Sequence, residues 1–223
     1  MADMTVIYYT SNREKEPFED KICQTLLKSK GDIPLVSVSQ KPMSFGINIC
    51  VGDVGVHQQN AYRQLLIGAE EAKTNFVCTA EADFLYAPEY FKFRPHNTKT
   101  FYVSRPCWIL RSQRGKQRVA FRKSPSSDSP MVVGRKSLIR RLQEMFVNQK
   151  NYWRDVAEND AADNPYLLHR DHVAVRSFEA GAGSLTFKTD ENMHRGSPWL
   201  ESTRTTDIPG WGSVRDLLEK YCG

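Results

Sequence analysis

The sequence predicts an α/β fold with a mostly parallel central sheet, formed by a single domain. Three observations lead to this prediction. A β-branched and aromatic segment, Met4–Thr10, is followed by a helical pattern and by a second apolar segment at residues 34–39. Another helical pattern, at residues 57–73, leads to a third apolar run at residues 76–78. Strands and helices that alternate in this order form parallel sheets with helices packed on their faces.

Composition agrees with one globular domain and argues against several other classes of protein. Hydrophobic residues make up 40% of the 223 residues, which is enough to bury a core. No apolar run is long enough to cross a membrane and no secretory signal precedes the first strand, so we expect no membrane association. The five cysteines are scattered and lack the spacing of a disulfide framework or a zinc site. These features predict a cytoplasmic protein with reduced thiols.

A polar turn and a helix separate the first two predicted strands. The turn consists of Thr10, Ser11, Asn12 and Arg13. It lacks the glycine-rich patterns that bind phosphates, which disfavours dinucleotide-binding and ATP-binding folds. The helix is predicted to begin at Pro17, since proline suits the first helical position, and to end at Gly31.

A loop and a second helix follow the second strand. Residues 41–56 form the loop, with a short strand predicted at residues 47–51. The helix at residues 57–73 carries apolar side chains at helical spacing on one face, namely Ala61, Leu65, Ala69 and Ala72.

Two acidic residues follow the third apolar run. Glu81 and Asp83 are separated only by Ala82, and residues i and i+2 of an extended segment point to the same side. Two carboxylates held this close repel each other unless a proton or a cation lies between them. Their hard oxygen atoms suit Mg²⁺ or Mn²⁺. A strand that runs into a solvated acidic turn is the alternative interpretation.

The second half of the chain continues the alternation less regularly. Strands are predicted at residues 100–110, 117–121, 173–177 and 184–188, and helices at residues 136–146 and 213–221. A turn at residues 179–183 separates the last two strands, and residues 197–212 are predicted to form a flexible flap before the final helix.

Residues 75–91, with the sequence NFVCTAEADFLYAPEYF, resemble the centre of the GT-A nucleotide-sugar glycosyltransferases, especially family-2-like members. In that family a strand ends in an acidic D-x-D motif, followed by a proline and an aromatic residue, and here Glu81 stands at the first acidic position. The resemblance implies a Rossmann-like α/β/α sandwich with a nucleotide-sugar half at residues 4–100. It implies an acceptor half at residues 101–223, which includes the flap and the final helix.

The resemblance also implies the activity and the donor site. The activity is metal-dependent transfer of a sugar from a nucleoside diphosphate sugar, such as a UDP-sugar, to an acceptor hydroxyl. The implied metal is Mn²⁺ or Mg²⁺, with Glu81, Asp83 and His194 as its ligands. The implied donor-binding residues are Thr10, Ser11, Asn12, Arg13, Asp53, Asn60, Arg63, Glu81, Ala82 and Gly134. Among them Arg63 has the strongest physical case, because a guanidinium fork fits phosphate oxygens.

The family carries its catalytic base downstream of the helix at residues 136–146. Three acidic residues occupy the corresponding region, and spacing does not choose among them: Glu158, Asp160 and Asp163. A solvated acidic helix end is the alternative for all three. Trp153 is either a platform for the acceptor or a core residue.

Basic residues are concentrated where the family builds its acceptor cleft. The chain carries 31 Lys and Arg against 26 Asp and Glu, and many of the basic residues lie between Arg105 and Arg141. The candidate acceptor-binding residues are Arg111, Arg114, Lys116 and Arg135, together with Trp153. Such charge suits a polyanion, which leads to the hypothesis of a bacteriophage enzyme that glycosylates 5-hydroxymethylpyrimidines in double-stranded DNA. Its location would then be the host cytoplasm.

Several alternatives stay open from the sequence. The acceptor is otherwise a small carbohydrate or a protein, and the basic residues are otherwise a solvated surface. Nucleotidyl transfer uses related sheets, but the turn after the first strand lacks the glycine-rich basic loop of those enzymes. A non-catalytic basic nucleic-acid-binding protein is the third class, although no helix-turn-helix, zinc or RNA-binding signature is recognisable.

Overall fold

The computed structural model describes residues 3–111, 120–122, 129–149, 151–154, 173–191 and 204–223. Its helices are α1 (Phe18–Lys30), α2 (Gln58–Glu71), α3 (Pro88–Lys92), α4 (Arg135–Phe146) and α5 (Val214–Cys222). Its strands are β1 (Met4–Thr10), β2 (Leu35–Ser39), β3 (Ile47–Cys50), β4 (Phe76–Glu81), β5 (Phe84–Tyr86), β6 (Phe101–Arg111), β7 (Ala120–Arg122), β8 (Met131–Gly134), β9 (Val175–Lys188), β10 (Arg204–Thr205), β11 (Asp207–Ile208) and β12 (Gly212–Ser213).

Most of the strands form one large sheet, with the order β10-β7-β6-β8-β4-β1-β2-β3 and with β9 paired to both β6 and β5. Strand β1 is parallel to β2 and β4, and β2 is parallel to β3. Strand β8 is antiparallel to both β4 and β6, so β4 and β6 run in the same direction, and β9 is parallel to β6. The predicted α/β fold with a mostly parallel central sheet is confirmed.

Helices cover both faces of this sheet, as a Rossmann-like α/β/α sandwich requires. The alternation of β1 sends Ile7 towards α2 and α4, where it packs with Leu65 and Leu142. Its neighbours Val6 and Tyr8 point to the opposite face and pack with α1. Helix α5 extends this second layer beside α1. No helix in the described part of the chain has the length and apolarity needed to span a bilayer.

The last long strand differs from its prediction. Residues predicted as two strands with a turn between them form one strand, β9, that pairs with β6 along its whole length. Glu179 lies opposite Arg105, and the next regular pair joins Ser184 to Cys107. The residues between them bulge out of the ladder and include Gly183 at φ +77°. A bulge absorbs extra residues while the ladder continues, which explains why a turn signal occurs inside a strand.

The segment before the final helix also differs from the predicted flap. From Arg204 onward it forms the short strands β10, β11 and β12, and β10 pairs with β7. Ile208 is buried with residues of α5, and the indole N–H of Trp211 donates to the carbonyl of Ala182 at 3.1 Å. Apolar burial and this hydrogen bond hold the segment against the bulge of β9.

Candidate active site

A cavity of about 850 Å³ lies at the carboxyl ends of β1 and β2. Its walls come from the loop after β1, the first turns of α1 and the loops after β2 and β3. The lining residues are Ser11, Asn12, Arg13, Glu14, Glu16, Glu19, Asp20, Cys23, Gln40, Lys41, Pro42, Met43, Ser44, Phe45 and Asp53. Open α/β sheets bind ligands at this edge, outside the carboxyl ends of their strands. The structure therefore brings together four of the predicted donor-binding residues, Ser11, Asn12, Arg13 and Asp53.

Asn12 gives this cavity its shape. It adopts φ 51°, a left-handed conformation that asparagine tolerates better than most residues. Its Oδ1 accepts hydrogen bonds from the backbone N–H groups of Gln40 (2.9 Å) and Lys41 (2.8 Å). Thr10, the remaining residue of the predicted turn, is buried and its Oγ1 accepts from the Asn12 N–H. These bonds join the loops after β1 and β2 into one wall.

Glu19 is a cavity residue that the sequence reasoning missed. It lies on the first turn of α1, is buried, and accepts a hydrogen bond from the Tyr8 hydroxyl at 2.8 Å. Burial raises the pKa of its carboxyl above the ordinary value of 4.5, although hydrogen bonds from Thr10 and Tyr8 oppose the shift. The signal that could have found Glu19 is its position next to Phe18, at the beginning of the helix, on the side of α1 that faces the sheet.

We expect Glu19 to make stability depend on pH. Because its pKa is higher in the folded state, the folded protein binds the proton more tightly. The resulting stabilisation is complete below the unfolded value near 4.5 and is lost as pH rises through the raised folded pKa. Urea denaturation at a series of pH values above 4 should show this decline in wild type and a smaller decline in Glu19→Gln. Equal pH dependence in the two proteins would contradict the assignment.

The predicted acidic pair lies at the end of β4, at the same edge of the sheet. Glu81 accepts a hydrogen bond from the Tyr9 hydroxyl at 2.9 Å, and its own backbone N–H donates to the Tyr86 hydroxyl at 3.0 Å. Burial raises the pKa of Glu81, and the negative charge of Asp83 raises it further. The charge of Asp83 therefore acts on the Glu81 carboxyl, as expected for two acidic residues separated by one position.

Asp83 is held by the end of β9. Its Oδ2 accepts hydrogen bonds from Lys188 Nζ at 2.8 Å and from Thr186 Oγ1 at 3.0 Å. The side chains of Asp83 and Lys188 are only 10% and 18% exposed. Burial by itself would lower the pKa of Lys188, but the charges of Asp83 and Glu81 outweigh it and raise that pKa, so the amine is protonated. The pair is a buried ion pair.

Lys188 was missed because its partner is distant in sequence. The signal that could have found it is the alternation of Ser184, Thr186 and Lys188 with apolar residues in the predicted strand. That alternation gives the strand one polar face. A polar face at the end of a buried strand requires a polar partner, and only the fold shows that this partner is Asp83.

The described residues supply only part of the divalent metal site that the resemblance implies. No group of three His, Cys, Asp or Glu side chains is placed to hold a metal ion in the described ranges. The Oδ2 atom of Asp83 already accepts a hydrogen bond from a buried ammonium group. His194, the third predicted ligand, lies outside the described residues. The metal therefore stays a prediction from the sequence.

The acidic pair and the cavity are joined through the residues after β9. Thr189 follows Lys188 and donates from its Oγ1 to the carboxylate of Glu14, at 3.1 Å to Oε2. Glu14 also lines the cavity. Two residues further on, Glu191 forms an ion pair with Lys15 at 3.0 Å. Thr189 therefore links the end of β9 to the cavity wall, and the Asp83–Lys188 pair lies at the same edge of the sheet, outside the lining of the cavity.

Two predicted donor residues on α2 make other contacts. Asn60 is buried, donates to the carbonyls of Val54 and Arg154 at 2.7 and 2.9 Å, and accepts from the Arg154 N–H. The guanidinium carbon of Arg63 lies 3.6 Å from the ring centre of Phe146 and 4.3 Å from that of Tyr152. These contacts pack α2 against the segment after α4. The roles of Asn60 and Arg63 in donor binding stay predictions.

Gly134 and Arg135 lie at the opposite edge of the sheet from Glu81. Strand β8 is antiparallel to β4, so its last residue, Gly134, pairs with Phe76 at the beginning of β4. The Arg135 guanidinium donates to the carbonyls of Thr74 and Ala69. The resemblance placed Gly134 with the donor site and Arg135 with the acceptor site. The observed direction of β8 separates both residues from the rest of the predicted site.

The remaining predicted residues fall into two groups. Arg111 ends β6 as the register partner of Lys188, and Trp153 is half-buried beside Tyr152. Ala82 lies between the two acidic residues and packs partly against the core. The others lie outside the described residues, namely Glu158, Asp160, Asp163, His194, Arg114 and Lys116.

Comparison with known proteins supports the fold. No protein-family model matches the sequence, and no curated protein sequence matches it. The structure of the inositol-1-phosphate CTP transferase from T. maritima is similar with a TM-score of 0.51 and 12% identity, over 87% of this chain and 93% of that one. A crystal structure of S. aureus TarS gives a TM-score of 0.47 and 12% identity, over 82% of this chain and 60% of that one. The crystal structure of a glycosyltransferase involved in the glycosylation of the major capsid of PBCV-1 gives a TM-score of 0.45 and 8% identity, over 79% of this chain and 81% of that one.

This chain spans less than two thirds of the TarS chain. Identities this low show a shared fold and leave the activity to be argued from the site. The fold is a Rossmann-like α/β fold, which this chain shares with the T. maritima enzyme.

Proposed function

We propose that this protein is a glycosyltransferase that moves a sugar from a nucleoside diphosphate sugar to an acceptor hydroxyl. The observation that carries the proposal is the polar region at the carboxyl edge of the sheet. It combines a cavity of about 850 Å³ with a buried, charged cluster at the end of β4. Pockets for small molecules in proteins have this size, with a few polar groups that orient the ligand.

The two parts of the region suit the two parts of such a donor. The cavity, with Arg13 and Asp53 in its wall, accepts the base and the ribose. The diphosphate then extends along the carboxyl edge towards Glu81, Asp83 and Lys188. The nucleotide is proposed to be UDP, which rests on the resemblance of residues 75–91 to the GT-A enzymes.

The proposed acceptor is a hydroxymethylated pyrimidine in double-stranded DNA. Its support is the basic stretch between Arg105 and Arg141, of which Arg111 lies at the carboxyl edge beside Lys188. Arg135 is turned to the other edge and adds nothing to such a surface. A small carbohydrate or a protein is the alternative acceptor. An enzyme that reaches a base hydroxyl in a duplex needs phosphate contacts, and base flipping is one route to the hydroxyl.

Transfer of a labelled sugar tests this proposal directly. Labelled UDP-sugars are incubated with the protein and with hydroxymethylated DNA, unmodified DNA or free sugars, across a salt series. We expect label only on the hydroxymethylated DNA, and we expect binding to weaken steeply with salt because each neutralised phosphate releases counterions. Between 50 and 200 mM salt, six or more phosphate contacts correspond to a loss of about 10³-fold or more in affinity.

Other outcomes separate the alternatives. Label on free sugars or on protein, with none on DNA, would disprove the hypothesis of a DNA acceptor. The proposed glycosyltransferase activity would still stand. Consumption of a nucleoside triphosphate with release of pyrophosphate would show a nucleotidyltransferase. Salt-sensitive duplex binding without turnover of any nucleotide sugar would show a nucleic-acid-binding protein.

A further inference from the structure

We propose that Lys188 is the cation that neutralises the donor diphosphate, at the position where the sequence led us to expect a divalent metal. This inference rests on the proposed function and adds the residue that stabilises the leaving group. Its starting observation is the 2.8 Å contact between Lys188 Nζ and Asp83 Oδ2. The ammonium group lies against the acidic motif whose carboxylates were predicted to hold the metal ion.

The contact is built into the fold. Thr186 and Lys188 lie two residues apart on β9, and both donate to the same oxygen of Asp83. The backbone N–H of Phe187, between them, donates to the carbonyl of Asp83 at 2.8 Å. Three consecutive residues of β9 therefore hold Asp83, and the ammonium group is positioned by strand geometry. A divalent ion at this carboxylate would have to displace the ammonium or lie against a like charge.

The position of Lys188 suits contact with a diphosphate. It is the last residue of β9, at the edge of the sheet where ligands bind. The next residue, Thr189, bonds to Glu14 in the cavity wall. Arg111, the register partner of Lys188, ends the neighbouring parallel strand and brings a second cation to the same edge. An ammonium group has three N–H donors, and this number lets one ammonium group bond a carboxylate and a phosphate oxygen at the same time.

Such a cation supplies the charge that sugar transfer requires. The bond between the anomeric carbon and the β-phosphate oxygen breaks, and its electron pair stays on that oxygen. A new bond joins the anomeric carbon to the acceptor oxygen, and the acceptor proton passes to a carboxylate base or to solvent. Negative charge develops on the leaving diphosphate, where a fixed cation stabilises the transition state more than the ground state.

The test is calorimetric binding of UDP, GDP, CDP and ADP to the full chain, in buffer with EDTA and in buffer with Mn²⁺. We expect one of them, UDP by preference, to bind wild type with affinities that agree within about twofold in the two buffers. Lys188→Met should weaken that binding by about 10- to 100-fold in either buffer, the range for a lost hydrogen bond to a charged group. Lys188→Arg should bind more tightly than Lys188→Met, because the positive charge remains.

Lys73→Met is the matched control, because Lys73 is an exposed lysine just before β4, at the opposite edge of the sheet. It should bind like wild type. If Lys188→Met does not fold, Asp83→Asn with Lys188→Met removes both buried charges, and it should show the same loss of binding. Binding by wild type in Mn²⁺ that disappears in EDTA would overturn the role of Lys188 and leave the proposed function standing. Absence of binding in both buffers would overturn both.

Discussion

Replacement of Asp83 by alanine is expected to destabilise the protein by about 3–5 kcal/mol, the usual cost of removing one partner of a buried ion pair. The variant leaves the Lys188 ammonium buried without its carboxylate, and it leaves Thr186 without an acceptor. We also expect at least a tenfold loss of nucleoside diphosphate affinity, because the ammonium loses the group that positions it.

Urea denaturation of Asp83→Ala and Asp83→Asn measures the first effect. Asparagine has nearly the same size and can still accept from Thr186, so it should cost less than alanine. Calorimetry with UDP measures the second effect in the same samples. An unfolding free energy of Asp83→Ala within about 1 kcal/mol of wild type would show that the carboxylate is not part of a buried pair.

Gly183→Ala is expected to have the other large effect. Gly183 lies in the bulge of β9 at φ +77°, a conformation that costs a residue with a Cβ about 1–2 kcal/mol. A Cβ at this position would also overlap the carbonyl oxygen of Pro106 in β6. Overpacking against backbone typically adds about 1–3 kcal/mol. The bulge sets the register that brings Thr186 and Lys188 to Asp83, so nucleotide affinity should fall together with stability.

Gly52→Ala is the matched control for this variant. Gly52 has φ +78°, but a Cβ there would meet no atom within 4 Å. Its substitution should therefore cost only the conformational part, about 1–2 kcal/mol. The difference between the two unfolding free energies, measured in urea, isolates the contact with Pro106. Equal losses of unfolding free energy in the two variants would mean that the contact with Pro106 adds no destabilisation.

Local patterns explain how much of the architecture was predictable. The β-branched run of β1, the helical spacing on α1 and the apolar run of β4 each depend on neighbours within about ten residues. Hydrophobic periodicity predicts such locally determined elements well. The sequence predicted two strands where the structure has β9, because glycines such as Gly183 are typical of a turn. Pairing with the distant β6 keeps the whole segment in the sheet.

The candidate site was predictable to the same extent. Ser11, Asn12 and Arg13 follow the first strand, and their place at the carboxyl edge follows from the direction of a parallel sheet. Asp53 joins them in one cavity. Gly134 was misplaced because the direction of β8 is set by its distant partners β4 and β6.

By itself, the sequence determined the fold class, the loop after β1 and the closeness of Glu81 to Asp83, since each follows from the chain's own periodicity. The tertiary structure alone decided what Asp83 binds. Its partner Lys188 is 105 residues away and reaches it only because β9 pairs with both β5 and β6. Charges separated this far in sequence meet through strand register, and register is set by packing across the whole sheet.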